Sequence, residues 1–266
     1  MLFVSEAKFT QYYQNSLDDT YATQIDSMHT NLEGDSFAKT YELGVYTNFL
    51  NDSKLALEFS SDKQEKDESK DIIGMDSHDT SGSQLDLSKM ILIANYHHNL
   101  TDNLKYEIGY KGRFNTHDKN YDAKNSNHMF RYNENINALY STVRFVLTKK
   151  IKSKVGLRFE QVLGEVALDT SGTQIEINNN YNYIYPSAHL VYIFNPYSNL
   201  KAAYSARVNR PELKMLDLFP QNQFSSLVDT TGNPNLKPEF IDAFEISYSL
   251  IQEKYKTDFS LYYHNI

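Results

Sequence analysis

The 266-residue chain has no cysteine, which removes disulfide staples and thiolate metal sites from consideration while leaving the redox compartment undefined. No apolar run reaches the roughly 18 residues that a transmembrane helix needs. Basic residues are in deficit, with 26 Lys and Arg against 34 Asp and Glu and a net charge of −8, and the lysines are scattered. That balance argues against a dedicated nucleic-acid binder. Met1 to Thr10 shows no basic segment leading into a long apolar core and no cleavage signature, so no signal peptide is read there.

Catalytic constellations are also lacking. His97 and His98 are neighbours in an alternating segment and point to opposite faces, which makes them a poor chelating pair. His117, Asp118, Asp122 and His128 lie in what reads as a polar connection, where solvated or loop-locking roles explain them better than a metal site does. Asp217 and Asp229 have no spacing that nominates an acid/base pair. The expectation is no enzyme, no cofactor and no metal.

Aromatic residues are plentiful, 21 Tyr and 15 Phe, yet the mean hydropathy is −0.58. Many aromatic anchors without broad hydrophobicity suit a sheet in which only alternate residues meet lipid, with aromatics near both interfaces. The periodicity agrees. Tyr41, Leu43, Val45, Thr47 and Phe49 alternate through one segment and Leu55, Leu57 and Phe59 through the next, joined at Leu50-Asn51-Asp52-Ser53. Leu104, Tyr106, Ile108, Tyr110, Gly112 and Phe114 share a face opposite Lys105, Glu107, Lys111 and Arg113. Leu139, Val143, Phe145 and Leu147 are answered by Val155, Leu157, Phe159 and Leu163, and Leu200, Ala202, Tyr204, Ala206 and Val208 continue the theme.

Leu100-Thr101-Asp102-Asn103, Lys149-Lys150-Ile151-Lys152 and Asn195 to Asn199 read as short turns, and Glu253-Lys254 as another. The Lys149–Lys152 cations read as solvated, with contact to an anionic surface as the alternative. Long polar loops are expected near 62–83, 116–132, 164–182 and 210–239, and Asp18 to Asn31 shows no clear period. Counting segments gives about ten antiparallel strands in an all-β chain.

Two further strings narrow the reading. Tyr204-Ser205-Ala206-Arg207-Val208-Asn209-Arg210-Pro211 is followed by Gly232-Asn233-Pro234-Asn235-Leu236-Lys237-Pro238-Glu239 and then Phe244-Glu245-Ile246-Ser247-Tyr248, with Tyr185-Pro186-Ser187-Ala188-His189-Leu190 upstream. In that order they resemble the distal barrel of TonB-dependent outer-membrane receptors, particularly the outer-membrane β-barrel family of Bacteroidetes, clearly over residues 130–266. Complete receptors of this kind close about 22 strands around a plug.

The resemblance therefore implies that residues 1–266 are one partial antiparallel transmembrane β-barrel domain, without plug or signal peptide. It also implies an outer-membrane location and a part in TonB-dependent uptake of an unidentified small molecule, glycan or peptide. Its partners are then outer-membrane lipid and, in a complete receptor, the plug and the TonB system, with no nucleic acid. A non-transporting barrel and a soluble β-rich surface-binding protein are the alternatives.

Arg207 and Arg210 are the candidate rim or lumen residues. Pro211, Gly232, Asn233, Pro234, Asn235, Lys237, Pro238 and Glu239 are expected mainly to shape a loop, with direct ligand or plug contact at the rim or lumen as the alternative: asparagine side chains bond to nearby backbone, Gly232 tolerates an unusual dihedral, and prolines limit freedom before Phe240.

Overall fold

The computed structural model describes residues 4–14, 19–23, 28–49, 52–73, 78–123, 126–170, 173–218, 231–252 and 255–266. Among these residues thirteen strands make one antiparallel sheet: β1 (Val4–Gln14), β2 (Asp19–Thr23), β3 (Met28–Phe49), β4 (Ser53–Ile73), β5 (His78–Thr101), β6 (Leu104–Ala123), β7 (Ser126–Thr148), β8 (Ile151–Thr170), β9 (Thr173–Asn178), β10 (Tyr181–Asn195), β11 (Ser198–Asn209), β12 (Glu239–Ile251) and β13 (Lys256–Asn265). A single helical turn, α1 (Leu213–Leu216), lies between β11 and β12. Eleven strands follow one another as neighbours in the order β1-β3-β4-β5-β6-β7-β8-β10-β11-β12-β13, while β2 pairs with β3 and β9 with β8. Among the described residues β1 and β13 do not pair with each other.

Register keeps side chains of one character in one layer, because residues directly opposite share a face. Leu43 pairs Phe59, Phe59 pairs Leu92, and Leu92 pairs Gly112. Farther along the sheet Leu139 pairs Phe159, and Phe159 pairs Ile184. Leu190, Ala202, Ile246 and Leu261 form another such row. Most of these side chains are open rather than covered, Leu139 to 58% and Leu261 to 73%, whereas Phe59 is half-buried and Gly112 buried. An apolar layer of this extent in water would be an aggregation liability, whereas in a bilayer it is solvated. In β7 and β8 it runs from Leu139 to Leu147 and from Val155 to Leu163, about nine residues each, the length a tilted strand needs to cross the hydrocarbon. At the short-turn end it meets an aromatic girdle, with Tyr192 and Phe194 rings 4.8 Å apart, Phe194 and Tyr248 6.2 Å, and Tyr96 and Tyr106 5.9 Å.

Polar side chains at the start of each short turn fix its geometry. Thr148 Oγ1 accepts from the amides of Lys150 (3.2 Å) and Ile151 (3.1 Å), Thr101 Oγ1 from Asn103 (3.3 Å), and Asn195 Oδ1 from Tyr197 (2.9 Å). Each of these turns follows a register shift, at Asn99/Thr101, Val146/Thr148 and Ile193/Asn195. The Glu253-Lys254 turn and part of the Leu50–Ser53 turn fall outside the described residues.

At the other end the expected long loops are corrected. Residues 62–73 and 78–83 are paired strand, as are 116–123, 126–132 and most of 164–182, and β3 already begins at Met28 within the segment that showed no period. Beyond the hydrocarbon an alternating apolar layer is unnecessary, so these extensions are held by backbone pairing and by charges placed across strands. Asp118 stands opposite Arg131 and accepts from its Nε at 2.5 Å, and Asp62 stands opposite Lys89. Among the described residues of the fourth expected loop, 210–218 and 231–238 carry no strand.

Candidate functional site

Each strand also carries a second parity, and on β6, β7, β8 and β10 this polar face is where charge is buried. Glu160 is 5% exposed and Glu134 6%. Their positions are not directly paired, since Glu134 opposes Gly164 and Glu160 opposes Ala138, but they lie on the same face two rows apart. Ionised carboxylates persist in such surroundings only when cations and donors satisfy them. Arg113 Nη2 approaches Glu134 Oε2 at 3.0 Å, Asn115 donates to the same oxygen at 3.1 Å, and the Tyr132 hydroxyl donates to Oε1 at 3.2 Å. Arg158 reaches Glu160 Oε1 through Nη2 at 2.6 Å and Nε at 2.7 Å.

Arg210 completes the network from outside the strands. Its Nη2 donates to Glu160 Oε2, its Nε donates to the Tyr181 hydroxyl at 2.8 Å, and the same nitrogen stands 3.9 Å from Glu134. Burial on its own would lower the Arg210 pKa, but Tyr181 and Glu160 more than offset it, and the value lies above the ordinary one for arginine. The side chain stays charged and bridges two buried glutamates.

Arg210 thereby turns the β11–β12 connection inward, and the next residues form a strap on the polar face. Leu216 packs with Phe130, Val166 and Leu168, with Leu213, Tyr132 and Ile177 at the margin. Lys119 Nζ meets the buried carboxylate of Asp217 at 2.8 Å. The expected motif then closes on the strap: the Gly232 amide donates to the Asp217 carbonyl (2.7 Å) and the Asn233 amide to the Met215 carbonyl (2.6 Å). A Cβ on Gly232 would stand 2.5 Å from the Met215 oxygen and 2.6 Å from that of Asp217. Gly232 is required for close approach; its φ is outside the left-handed range, so the need for glycine comes from the space and not from the dihedral it tolerates.

Residues 233–236 form a turn, with the Leu236 amide donating to the Asn233 carbonyl (3.2 Å) and the Asn235 amide to Asn233 Oδ1 (3.0 Å). Pro234 is buried there, whereas Lys237 is exposed and Pro238 and Pro211 are half-buried. Glu239 accepts from Asn209 Nδ2 at 3.0 Å. Arg207 lies apart from the glutamates, exposed, with Nε donating to Ser205 Oγ at 3.0 Å. Of the two candidate arginines, therefore, only Arg210 enters the buried network. Sequence reasoning missed Glu134, Glu160, Arg113, Arg158 and Tyr181; the available signal was a carboxylate at the parity shared by Ile136 and Val162.

The histidines separate as their adjacency requires: His97 Nδ1 is 3.6 Å from Glu107, while His98 Nδ1 is 2.8 Å from Ser53 Oγ. His117, Asp118, Asp122 and His128 lie on strands, not in a loop, and His117 packs against Tyr132 at 6.2 Å. Among the described residues no group of three or more His, Asp and Glu is arranged to hold a metal ion; Asp229 lies outside them.

The sequence pattern of the outer membrane protein beta-barrel family matches residues 46–266. The fold is similar to the ferric yersiniabactin uptake receptor FyuA from Yersinia pestis, with a TM-score of 0.65 and 10% identity over 98% of this chain and 42% of that one. It is also similar to a double mutant of the Serratia marcescens hemophore receptor HasR, with a TM-score of 0.51 and 10% identity over 92% of this chain and 46% of that one. The chain thus spans less than half the length of either receptor. No curated protein matches the sequence.

Proposed function

The chain belongs to the outer membrane protein beta-barrel family, and on that premise we propose that it forms part of the wall of a TonB-dependent receptor in the outer membrane. The apolar face lies against lipid and the polar face lines the path of an incoming small molecule, glycan or peptide. The observation that carries this reading is the strap: a long connection turned inward by Arg210 onto Glu160 and Glu134 puts a loop on the polar face, where it narrows and shapes a passage. The two receptors of like fold, for ferric yersiniabactin and for a hemophore, make ferric chelates and heme the first substrates to try. Unpaired strand edges in hydrocarbon leave backbone donors and acceptors unsatisfied, so β1 and β13 are taken to meet further strands of the same wall.

Uptake by cells carrying the intact gene, its deletion, and the gene in a strain without TonB tests the proposal across a panel of ferric chelates, heme, oligosaccharides and peptides. At least one compound is expected to need both the gene and TonB. Uptake that needs the gene but continues unchanged without TonB would contradict energy coupling and favour a passive barrel.

A further inference from the structure

The polar face changes character toward the short turns. Lys105 on β6 stands directly opposite Arg144 on β7, and Arg144 directly opposite Lys154 on β8. One row nearer the turns, Lys152 on β8 and Lys201 on β11 flank Val191 of β10. Like charges directly opposite each other destabilise a sheet, so three cations in one row are an arrangement that strand pairing alone disfavours. Farther up the same face, arginines at Glu134 and Glu160 are matched by buried carboxylates; at this end they are not. Among the described residues none of Lys105, Arg144, Lys152, Lys154 and Lys201 has a carboxylate within 4.0 Å; nearby Glu107 lies beside His97, and Asp258 sits on Lys256 at 3.2 Å while also feeling the charge of Lys201 from farther off. All but Lys154 are exposed. Lys105 and Arg144 also line a shallow depression with His97, Asn99, Glu107 and Thr142.

We infer that this cationic rim is a docking surface for an acidic polypeptide segment that enters from the short-turn side. Charge fixes the chemistry and extent fixes the class. From β6 to β11 the patch crosses four interstrand spacings, roughly 19 Å, which a single phosphate leaves mostly unneutralised but an extended segment of about six residues covers. The cations face away from the lipid layer, so headgroups beside Leu139 or Leu157 do not reach them. The inference rests on the reading that the polar face lines a passage open to water.

The intact receptor in lipid nanodiscs, titrated with fluorescein-labelled octaglutamate by anisotropy, tests it. Binding is expected to weaken with added salt and to fall roughly tenfold or more in the double variant Arg144→Gln/Lys154→Gln, with Lys237→Gln unchanged. Heat-dependent gel mobility checks that each variant is folded. Octaglutamate binding no tighter than octalysine, or unaltered in the double variant, overturns the inference, as does full competition by inorganic phosphate or anionic vesicles at equal charge. Thr142→Cys, on the same face, separates the two ways of failing. If a water-soluble maleimide labels it and octaglutamate still does not bind, the docking surface falls and the passage stands; if it is shielded, both fall.

Discussion

Arg210 and Glu160, fifty positions apart in the chain, meet on the polar face, and their contact turns a surface connection into an internal strap. The consequence is energetic as well as geometric. A buried glutamate retains its charge because cations reach it from two directions, Arg158 on its own strand and Arg210 on the strap.

Removing Arg210 leaves Glu160 buried with one cation instead of two. Arg210→Ala is expected to destabilise the folded barrel by about 2 kcal/mol, the scale of a charge-assisted hydrogen bond lost in a partly satisfied network. Denaturant titration in detergent measures it. Combining it with Glu160→Gln should cost less than the sum of the two single changes, since both act on one interaction.

Gly232→Ala attacks the strap from its other side. The added methyl meets two backbone oxygens that have no flexible end to move aside. Faster hydrogen exchange at the amides of position 232, Asn233 and Asp217 is expected, with the amides of β7 and β8 unchanged.

The apolar layer gives a prediction that depends on depth. Phe159→Arg, opposite Leu139 and Ile184, should cost about 2–4 kcal/mol for folding into vesicles. Thr142→Arg on the opposite face should cost under about 1 kcal/mol, since lumen-side substitutions escape the lipid penalty.

At the cationic rim the sign reverses. Arg144→Glu places a carboxylate directly between Lys105 and Lys154, and stability should rise by about 0.5 kcal/mol, fading at high salt. Measurement at low and high salt checks both parts.

Much of the sheet was legible because lipid forces a period of two. Leu139 to Leu147 and Val155 to Leu163 announce their face, and the polar strings at 100–103, 149–152 and 195–199 announce their turns. The extensions beyond Asp62 were not legible, because Lys63-Gln64-Glu65-Lys66-Asp67 has neither apolar alternation nor β-propensity and is paired by register carried over from Leu55, Leu57 and Phe59. The site was half legible. Arg210 and the Gly232–Glu239 string stood out by their order, but their partners Glu134 and Glu160 come from strands whose contact depends on register and on an inward loop, neither of which a linear pattern encodes.

Site-directed nitroxide scanning of residues 139–146 in lipid nanodiscs tests the central claim most directly, and no native cysteine within these 266 residues competes for the label. Leu139, Ser141, Val143 and Phe145 should be accessible to oxygen dissolved in lipid, and Tyr140, Thr142 and Arg144 to a water-soluble nickel complex, in strict alternation. Equal accessibility of both parities to the nickel complex would contradict a lipid-facing wall with a water-facing interior.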